Sequence, residues 1–348
     1  MRIAYIELDT HAEIAANFRE LMLDSADFDV DFYLSEKILN TLGLQPSKKV
    51  IKANPQHLVS LLTERQYDSV IIGTAHRYFD VFYKVTRHFK TSVIVHNKNF
   101  SKLSKLQLLS KILKKERAYR LKLLLKEGLL LAPEVYHLAR YRIVLDESMA
   151  DGKHTYCPLF YSKFNTEWPQ DGTRHIVVPG AVSQKRRDYR HILSTLKKFR
   201  LRNTLEITLA GKAASPELEW LQDFNTQQRG NISIRYFTEK IPQKYFETVM
   251  KTAQVLWCPV QRETEFFSTP EIYGETKMSG NIGDAIKFSK PAIFPRHYAS
   301  GYSFVFNESD DLEAQLEHIR NHPAINFEDF SRENVQRKLS ELLRRIAG

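Results

Sequence analysis

Short apolar runs alternate with amphipathic segments along the first half of the chain. Ile3 to Leu8, Asp68 to Gly73 and Thr91 to Val95 are largely apolar runs, which are typical of strands buried on both faces of a sheet. Ala12 to Met22 and Tyr78 to Phe89 carry apolar residues at helical spacing. Further strands are predicted at Phe28 to Phe32 and Arg142 to Leu145, and a further helix at His57 to Arg65. Because strands that alternate with helices need crossover connections, the pattern predicts a parallel sheet with both faces covered.

The same pattern restarts in the second half, after a polar and turn-rich segment. Tyr161 to Thr173 has no periodicity, and we predict that it links two domains. Strands are predicted beyond it at His175 to Val178, Leu205 to Ala210, Ile232 to Arg235, Gln254 to Cys258 and Pro291 to Phe294. Helices are predicted at Asp188 to Phe199, Pro216 to Gln228, from Pro242, Ser279 to Phe288, Leu312 to Arg320 and Glu333 to Ile346. The predicted fold class is therefore α/β, with two doubly wound, Rossmann-like domains that face a central cleft. Its predicted parts are residues 1–165, residues 172–330 and a closing helix at 331–348.

Length and composition narrow the class of protein. The chain has 348 residues, too many for one compact core, with 43% hydrophobic and 26% charged residues, as in ordinary soluble globular proteins. Apolar runs fall short of the roughly 18 to 20 residues that span a bilayer, and the start of the chain has no signal-peptide cleavage site. Two cysteines without CxxC spacing fit a reducing compartment. We therefore expect a cytoplasmic protein.

The net charge of +10 is concentrated in one segment. Between Lys102 and Lys126 the only acid is Glu116, and the other charged residues are Lys or Arg. Apolar positions recur through this segment at helical spacing, at Leu103, Leu106, Leu109 and Leu113. A basic amphipathic helix within 101–126 would lie on an anionic membrane, which would make the protein peripheral at the inner face of the cell membrane. The alternative is a helix packed on its own sheet with solvated lysines. A nucleic-acid partner is disfavoured because aromatic residues are sparse in this segment and no recognition motif is present.

Ligands of doubly wound sheets bind at the carboxyl ends of the strands, so the cleft between the two predicted domains is the expected site. Neither half has a GxGxxG sequence after its first strand, and the chain has no GxxxxGK[ST] sequence. These absences disfavour a dinucleotide-dependent enzyme and a P-loop NTPase. Asp27-Phe28-Asp29 has the form of a metal-binding DxD motif, but it lies in a strand-like stretch, and we expect no metal site.

A phosphate site is predicted where the helix at Ser279 begins. A helix N-terminus presents unpaired N–H groups and about half a positive charge. Lys277 adds a full charge and Ser279 a hydroxyl, while Gly280 and Gly283 allow the backbone to approach a ligand closely. The alternative is an ordinary capped helix in which Ser279 satisfies its own backbone and Lys277 is solvated.

Two basic loops are predicted at the same edge of the second sheet. Gly180 follows the first strand and precedes three consecutive cations, Lys185, Arg186 and Arg187. Lys212 follows the glycine at the end of the next strand. Each loop alone is typical of a solvated surface. Because the carboxyl ends of parallel strands meet at one edge, the two loops together favour an anion-binding site.

The second half resembles the nucleotide-sugar-binding domain of GT-B glycosyltransferases. The resemblance covers residues 170–300 and is carried by Val177 to Arg187, Leu209 to Gly211, Phe237 to Pro242, Glu271 to Gly274 and Ser289 to Ile293. It implies a nucleoside-diphosphate sugar donor with no cofactor and usually no required metal, an acceptor site in the first domain, and domain closure during turnover. The chain would then be a glycosyltransferase that moves a sugar, with UDP as the favoured nucleotide, to a glycan or lipid-linked glycan in cell-surface polysaccharide synthesis. The alternative is a noncatalytic GT-B-like protein that binds a nucleotide or glycan.

The resemblance also implies roles for single residues. Lys185 or Arg186 would hold the diphosphate, and Glu271 matches the first acid of the family's Glu-x7-Glu element, which contacts the donor sugar. Ser279 replaces the second acid, so Asp284 is the substitute for a ribose contact. The predicted donor-binding set is Gly180, Lys185, Arg186, Lys212, Tyr273, Lys277, Ser279, Gly280 and Asp284. These departures leave inverting and retaining chemistry both open.

An inverting route would need a base near the acceptor hydroxyl, while the departing diphosphate needs cations around it. His11 and Glu13, in the loop after the first strand, and His96, after the strand that ends at Val95, are the candidate bases. The alternatives are a first-turn helix acid for Glu13 and a turn that satisfies backbone groups for His96. Together with Glu271, these three residues form the predicted catalytic set.

Overall fold

The computed structural model describes residues 1–164, 174–198, 204–227, 230–321 and 325–348. Within these residues the first sheet is parallel, with the strand order β3-β2-β1-β4-β5-β6-β7. Its strands are β1 Arg2–Glu7, β2 Asp29–Leu34, β3 Val50–Lys52, β4 Ser69–Ile72, β5 Thr91–Ile94, β6 Tyr141–Val144 and β7 His154–Tyr156. The strand order reverses between β1 and β4, which opens a crevice at their carboxyl ends.

A second parallel sheet follows, with the strand order β10-β9-β8-β11-β14-β15. Its strands are β8 Arg174–Pro179, β9 Leu205–Lys212, β10 Ile232–Phe237, β11 Val255–Trp257, β14 Ala292–Phe294 and β15 Val305–Asn307. Between β11 and β14 the chain forms an antiparallel hairpin of β12 Glu263–Phe266 and β13 Thr269–Ile272. The order reverses between β8 and β11, so the second crevice lies at the carboxyl ends of these two strands.

Helices cover both faces of each sheet and bury apolar clusters against them. In the first half they are α1 Ala12–Met22, α2 Glu36–Leu42, α3 Leu58–Thr63, α4 Phe79–His88, α5 Lys98–Ser101, α6 Lys105–Ile112, α7 Arg117–Lys126 and α8 Ala132–Leu138. In the second half they are α9 Tyr189–Lys198, α10 Glu217–Gln227, α11 Gln243–Thr252, α12 Gly280–Phe288, α13 Leu312–Arg320 and α14 Arg332–Ala347. The predicted fold class, two doubly wound α/β units, is confirmed.

The last helix returns to the first sheet. α14 buries Val335, Leu339, Leu343 and Ile346 in the cluster that also contains Phe18 of α1. These four residues recur at helical spacing, so one apolar stripe of α14 covers the face of the first sheet that α1 also covers. The end of the chain is thereby attached to the half from which the chain begins.

The basic segment predicted as an amphipathic helix is divided into two helices. α6 begins with a capping box, in which Ser104 Oγ accepts the N–H of Gln107 at 3.3 Å and the Gln107 side chain accepts the N–H of Ser104 at 2.8 Å. Glu116 has a left-handed backbone, with φ of 50°, and turns the chain before α7. A single helix over 101–126 is therefore wrong, because hydrophobic spacing does not reveal this turn.

Short strands and the hairpin were missed by the sequence patterns. β3, β7 and β15 have three residues each, which is too few to show a periodicity. The hairpin β12–β13 lies between Cys258 and Ser279, where no strand was predicted. Residues 165–173 of the predicted linker lie outside the described part of the chain, as do the boundaries at 165 and 172 and the helix ends at Phe199 and Gln228.

Candidate active site

Hydrogen bonds join the carboxyl edges of the two sheets across the cleft. The ammonium of Lys277 donates to Oδ1 of Asn97 at 2.6 Å. The N–H of Lys98 donates to the carbonyl oxygen of Thr276 at 2.8 Å. These contacts set the loop after β5 against the segment that leads into α12. The loop that follows His96 and the segment that contains Lys277 are therefore in direct contact.

Three histidines meet at the carboxyl edge of the first sheet. His11, His76 and His96 follow β1, β4 and β5, which are neighbours in the sheet. The rings of His11 and His96 are stacked, with centroids 3.8 Å apart and an angle of 8° between the planes. The His76 ring lies 6.1 Å from His11 and 5.7 Å from His96, centroid to centroid. The structure thus brings together two of the predicted bases and adds His76, which lies in a turn without a sequence signal.

Hydrogen bonds fix the proton positions on the two inner histidines. Nε2 of His96 lies 2.8 Å from the carbonyl oxygen of Gly73, which only accepts, so Nε2 carries the proton. Asn97 directs its oxygen to the Lys277 ammonium, so its NH2 group donates to Nε2 of His76 at 3.1 Å. Burial lowers the pKa of both rings well below the usual value, and nearby positive charge adds to that effect. Both rings are therefore neutral near pH 7.

His11 differs from the other two histidines because it is paired with an acid. Its Nδ1 lies 3.4 Å from Oε1 of Glu13. Burial would raise the pKa of the Glu13 carboxyl, but the hydrogen bond and the charge of His11 outweigh burial and lower that pKa. With Nδ1 directed to the carboxylate, Nε2 is the ring nitrogen that accepts a proton. These two predicted residues form one acid–histidine pair at the start of α1.

One of the three cations in the basic loop after β8 lies at the edge of the second sheet. Gly180 has a φ of 97°, and a Cβ at this position would collide with the guanidinium of Arg187. Arg187 is half-buried and donates from Nη2 to Oδ1 of Asn281 at 3.3 Å. Lys185 and Arg186, the predicted diphosphate contacts, have exposed side chains. The loop was predicted correctly as basic, but the cation that packs over Gly180 is the third one.

The start of α12 forms the other wall of this corner. The Ser279 hydroxyl accepts the N–H of Asn281 at 3.3 Å and so caps the helix. A Cβ added at Gly280 would meet no atom within 4 Å, so open space adjoins the first turn. Asp284 accepts from Nδ2 of Asn281 at 3.2 Å. Burial raises the pKa of the Asp284 carboxyl to about 6, against the opposing effects of Asn281 and Arg187.

The remaining predicted donor-binding residues lie at different depths. Lys277 is half-buried, and burial lowers the pKa of its ammonium while Glu271 opposes that change. Tyr273 and Lys277 are paired through the backbone in a tight turn. Lys212 is exposed, with its ammonium 3.7 Å from the carboxylate of Glu239. Lys277 therefore lies within the cleft, and Lys212 lies at the surface.

Glu271 joins the two halves of the molecule. It is completely buried, and its carboxylate accepts the N–H of Asn99 at 3.2 Å and the N–H of Phe100 at 2.9 Å. Burial raises the pKa of this carboxyl, and its hydrogen bonds oppose the shift. Both oxygens are thus engaged by the first half, in a contact that no sequence pattern indicated. The predicted contact of Glu271 with a donor sugar stays a prediction.

The hairpin β12–β13 of the second half packs on the first half beside the histidines. The ring of Phe266 lies 4.4 Å from the ring of His76, centroid to centroid. The Arg120 guanidinium of α7 lies 4.4 Å from the ring centroid of Phe267. Neighbouring residues of one hairpin therefore contact the histidine cluster and the basic helix pair.

Comparison with solved structures identifies the architecture. Anabaena Alr3699/HepE in complex with UDP aligns over 99% of this chain and 100% of its own, with 11% identity and a TM-score of 0.61. The lipopolysaccharide outer core galactosyltransferase WaaB aligns over 99% of both chains, with 12% identity and a TM-score of 0.57. The chain has the GT-B fold. The UDP-GlcNAc 2-epimerase from Neisseria meningitidis, bound to UDP-GlcNAc, aligns over 99% of this GT-B chain and 100% of its own, with 12% identity and a TM-score of 0.54.

No protein-family model matches the chain, and no curated protein sequence matches it. The GT-B resemblance predicted from residues 170–300 is nevertheless confirmed for the fold, and the structural similarity covers both halves. At identities of 11 to 12% these similarities establish the fold alone. Any chemistry of this GT-B chain must be argued from its own residues.

Proposed function

We propose that this GT-B protein is a glycosyltransferase that takes a sugar from a nucleoside-diphosphate donor and passes it to an acceptor hydroxyl. One observation carries the proposal: a cationic corner of the second half faces an acid–histidine pair of the first half. The two groups are connected, because Lys277 of the second half donates to Asn97, and Asn97 donates to His76, whose ring lies 6.1 Å from the ring of His11. UDP is the favoured nucleotide because Anabaena HepE binds UDP and the Neisseria epimerase binds UDP-GlcNAc in the same fold.

On the donor side, Arg187, Lys277 and the first N–H groups of α12 would stabilise the departing diphosphate. Negative charge grows on this group as its bond to the sugar breaks, and one aligned donor contributes about 3 to 4 kcal/mol in comparable sites. The open space at Gly280 supports close approach of a phosphate to the backbone. These groups need no metal ion, so a metal-independent transferase is the favoured form.

On the acceptor side, His11 would take the proton of the acceptor hydroxyl. Glu13 holds the Nδ1 proton and would stabilise the imidazolium that forms, so Nε2 is the basic atom. The neutral rings of His76 and His96, together with Phe266, would form an uncharged wall beside this base. Such a wall suits an acceptor that presents hydroxyl groups and no charge at this point.

We further propose that the acceptor is a glycan or lipid-linked glycan and that the protein works at an anionic membrane surface. In the described part of the chain, no helix is both long enough and apolar enough to cross a bilayer. The helix pair α6–α7 exposes the large apolar side chains of Leu106, Leu109, Leu113, Tyr119, Leu121 and Leu125. Exposed lysines lie among them, at Lys114, Lys122 and Lys126. Apolar side chains surrounded by cations match the interfacial layer of an anionic membrane.

Other cations of this helix pair serve the protein itself. Lys111 donates to the carbonyl oxygen of Ser268 at 2.8 Å, and Lys115 pairs with Glu265 at 2.8 Å, both on the hairpin β12–β13. A test of membrane binding should therefore leave these two lysines unchanged. Substitution of Lys111 would disturb the hairpin as well as the charge of the surface.

The membrane test changes Lys114, Lys122 and Lys126 together to glutamate. We expect the affinity for vesicles that contain phosphatidylserine to fall by about 100-fold, because each surface cation contributes about 1 kcal/mol. The matched control changes three exposed lysines elsewhere in the first half, Lys48, Lys84 and Lys90. Equal losses in the two triple variants, or wild-type binding that ignores lipid charge, would contradict a specific membrane surface.

The function itself is tested first by nucleotide binding. Calorimetry with UDP, GDP, CMP and dTDP, each with magnesium and with EDTA, should show selective binding of UDP in both conditions. A thermal-shift experiment gives an independent check, since a ligand at about 100 times its Kd adds roughly 2.7 kcal/mol of stability. Release of UDP from UDP-sugars in the presence of glycan acceptors then tests transfer. A folded protein that binds none of these nucleotides would overturn the proposal.

A noncatalytic GT-B protein that binds a nucleotide or glycan is the second candidate. It is favoured by the engagement of both Glu271 oxygens and by Ser279 in place of the second acid. Such a protein would bind UDP or a UDP-sugar without accelerating the release of UDP when acceptors are added. Binding and release measured on the same preparation separate the two candidates.

A further inference from the structure

Glu7 is a buried carboxyl group at the cleft edge of the first sheet. It is the last residue of β1 and is completely buried. Its Oε1 accepts the N–H groups of Asp9 and Thr10, each at 3.3 Å, and its Oε2 lies 2.7 Å from the hydroxyl of Thr74. One side chain therefore connects the loop after β1 to the loop after β4.

Both of these loops help to hold His11 in position. The first leads directly into His11, whose φ of 56° is left-handed, a conformation that costs a residue with a Cβ about 1 kcal/mol or more. The second carries Thr74, whose hydroxyl lies 3.4 Å from Nε2 of His96, and Gly73, whose carbonyl oxygen accepts from the same nitrogen. The ring of His96 in turn stacks on the ring of His11 at 3.8 Å. The backbone and the ring of His11 are thus both held by groups that Glu7 contacts.

The carboxyl group of Glu7 packs closely against Gly73. A Cβ added at Gly73 would lie 2.6 Å from the Tyr5 hydroxyl oxygen and 2.7 Å from Oε2 of Glu7. Tyr5 is itself buried and stacks on Phe18, with centroids 4.7 Å apart. The glycine after β4 is therefore needed for the close approach of Glu7.

We propose that Glu7 is a positioning residue that holds His11 where it can accept a proton. The inference rests on the proposed role of His11 as the base, and it assigns Glu7 no contact with the substrate. Glu7 acts by two routes: through the backbone at Asp9 and Thr10, and through Thr74 and the stacked ring of His96.

The protonation state of Glu7 provides a readout of this role. Burial raises the pKa of its carboxyl to about 8, against the opposing hydrogen bonds from Thr74 and the loop backbone. Near pH 7 the carboxyl is therefore protonated, and above about pH 8 it becomes a buried charge that accepts from the Thr74 hydroxyl. A glutamine stays neutral at every pH, and its carbonyl oxygen can still accept the N–H groups of the loop.

Several titratable groups face Glu7 and define the background of its titration. Asp9 raises the pKa of Glu7 and is itself 3.2 Å from the Lys37 ammonium and 3.5 Å from the Arg77 guanidinium. The Tyr5 hydroxyl faces the carboxyl from its own strand, and burial followed by the charge of Glu7 raises the pKa of Tyr5 well above its usual value. The neutral ring of His96 lies beyond Thr74. Because the pKa of Tyr5 is raised and the pKa of His96 is lowered, neither of these two groups is expected to titrate near pH 8.

The experiment compares Glu7→Gln, Glu7→Leu and Thr74→Val in the full chain. It measures kcat, the Kd for UDP, and the titration of His11 by NMR with labelled histidine, assigned with His11→Gln. We expect Glu7→Leu to lower kcat about 100-fold while the Kd for UDP changes by about twofold at most, because small displacements of a reacting group have effects of this size. Thr74→Val should have a smaller effect of the same kind. Glu7→Gln should keep kcat near the wild-type value at pH 7 and remove the change in activity near pH 8.

Asp31→Asn is the matched control. Asp31 is a completely buried carboxylate in the neighbouring strand β2. It accepts from Arg2 at 3.0 Å and from Arg65 at 2.8 Å, with Arg2 at the amino end of β1. We expect its substitution to lower stability and to leave the His11 resonances unchanged. The proposal is overturned if Glu7→Leu leaves both kcat and the His11 titration as in the wild type, or if Asp31→Asn changes them equally.

Failure of this inference is distinguishable from failure of the proposed function. If the wild type releases no UDP with any donor, the function fails, while the His11 resonances still report whether Glu7 holds the ring under His96. If UDP is released and the resonances do not respond to Glu7→Leu, the inference alone fails. If Glu7→Leu does not fold, Thr74→Val and Glu7→Gln supply the same readouts.

Discussion

The two sides of the cleft share a topology and differ in their side-chain chemistry. At the carboxyl edge of the first sheet, Glu7 is completely buried, His76 and His96 are half-buried, and all three are hydrogen-bonded to neighbours and neutral near pH 7. At the edge of the second sheet, Arg187 and Lys277 supply positive charge beside the open first turn of α12. Both edges form where the strand order reverses, which is where doubly wound sheets bind their ligands. The chemistry that each edge can perform depends on its side chains.

The lengths of the connecting loops account for much of this difference. In the first sheet, β4 and β5 are followed almost at once by the polar groups Thr74 and His96, which contact each other and the end of β1. In the second sheet, the loop after β8 runs from Gly180 to the start of α9, and only its last cation returns to the edge. The short loops thus hold Thr74 and His96 close to the end of β1, whereas the longer loop after β8 leaves Lys185 and Arg186 exposed to solvent.

Substitution of His11, the proposed base at the edge of the first sheet, should have the largest effect. We expect His11→Gln to lower kcat by about 100- to 10,000-fold, the usual contribution of general base catalysis, with the Kd for UDP nearly unchanged. His57→Gln, outside the histidine cluster, is the control. Steady-state kinetics and calorimetry on both variants make the comparison. A His11→Gln enzyme with normal kcat would transfer the role of base to another group.

Substitution of Arg187, a cation at the second edge, should weaken UDP binding, whereas substitution of His11 should lower kcat. We expect Arg187→Ala to weaken UDP binding by about 10- to 100-fold, because a charge-assisted hydrogen bond contributes about 1.5 to 3 kcal/mol. Lys185→Ala, an exposed cation of the same loop, should change the affinity by less than about twofold. Calorimetry with UDP measures both. Equal losses in the two variants would show that the loop acts as a diffuse cationic surface instead.

The strand–helix alternation predicted the central strands of both sheets, because buried parallel strands are continuous apolar runs, and it missed the edge strands β3, β7 and β15. The same reasoning placed His11, His96 and Gly180 at the carboxyl edges, since those edges follow from strand direction. It also indicated the basic loop before Arg187. What it could not decide was which of three consecutive cations packs over Gly180, because that choice depends on a contact with Asn281, about a hundred residues away.

Contacts between the two halves were beyond reach of the sequence for the same reason. Glu271 was predicted from a family motif as a sugar contact, and the structure shows its carboxylate bound to the backbone at Asn99 and Phe100. The hairpin that carries Glu271 has strands of four residues and was not predicted from the sequence. Glu7 was assigned to a strand without a role, because its partners lie after β4 and in the next loop.

Glu271→Gln tests whether Glu271 stabilises the contact between the two halves or acts on a donor sugar. An amide has one acceptor oxygen, so one of the two backbone N–H groups would lose its partner, and we expect the free energy of unfolding to fall by about 2 to 3 kcal/mol. Urea unfolding measures this loss, with Glu263→Gln on the exposed part of the same hairpin as the control. If stability is unchanged while kcat falls, Glu271 acts on the donor sugar, as the family resemblance implies.

Asp284 is an acidic residue on the cationic side of the cleft, and its substitution has the smallest expected effect. Its pKa is raised from 3.8 to about 6 in the folded protein. Between these values the folded state binds more protons than the unfolded state, so wild-type stability falls as the pH rises from about 4 to about 6. The full shift corresponds to about 3 kcal/mol, but the Asp284 side chain is only half-buried, so solvent screens part of this effect. Asp284→Asn cannot ionise, and we therefore expect it to be more stable than the wild type by about 1 to 2 kcal/mol at pH 7 and equal to it at pH 4.

Urea unfolding at several pH values measures this difference, with Asp223→Asn, an exposed aspartate of α10, as the control. The result also tests how the two edges of the cleft differ. If the cations near α12 compensated Asp284 fully, the stability of the wild type and of Asp284→Asn would change in parallel with pH. A divergence between pH 4 and 6 would instead show that burial outweighs the opposing effects of Asn281 and Arg187, so that below about pH 6 the Asp284 carboxyl is neutral and leaves the positive charge of Arg187 uncompensated.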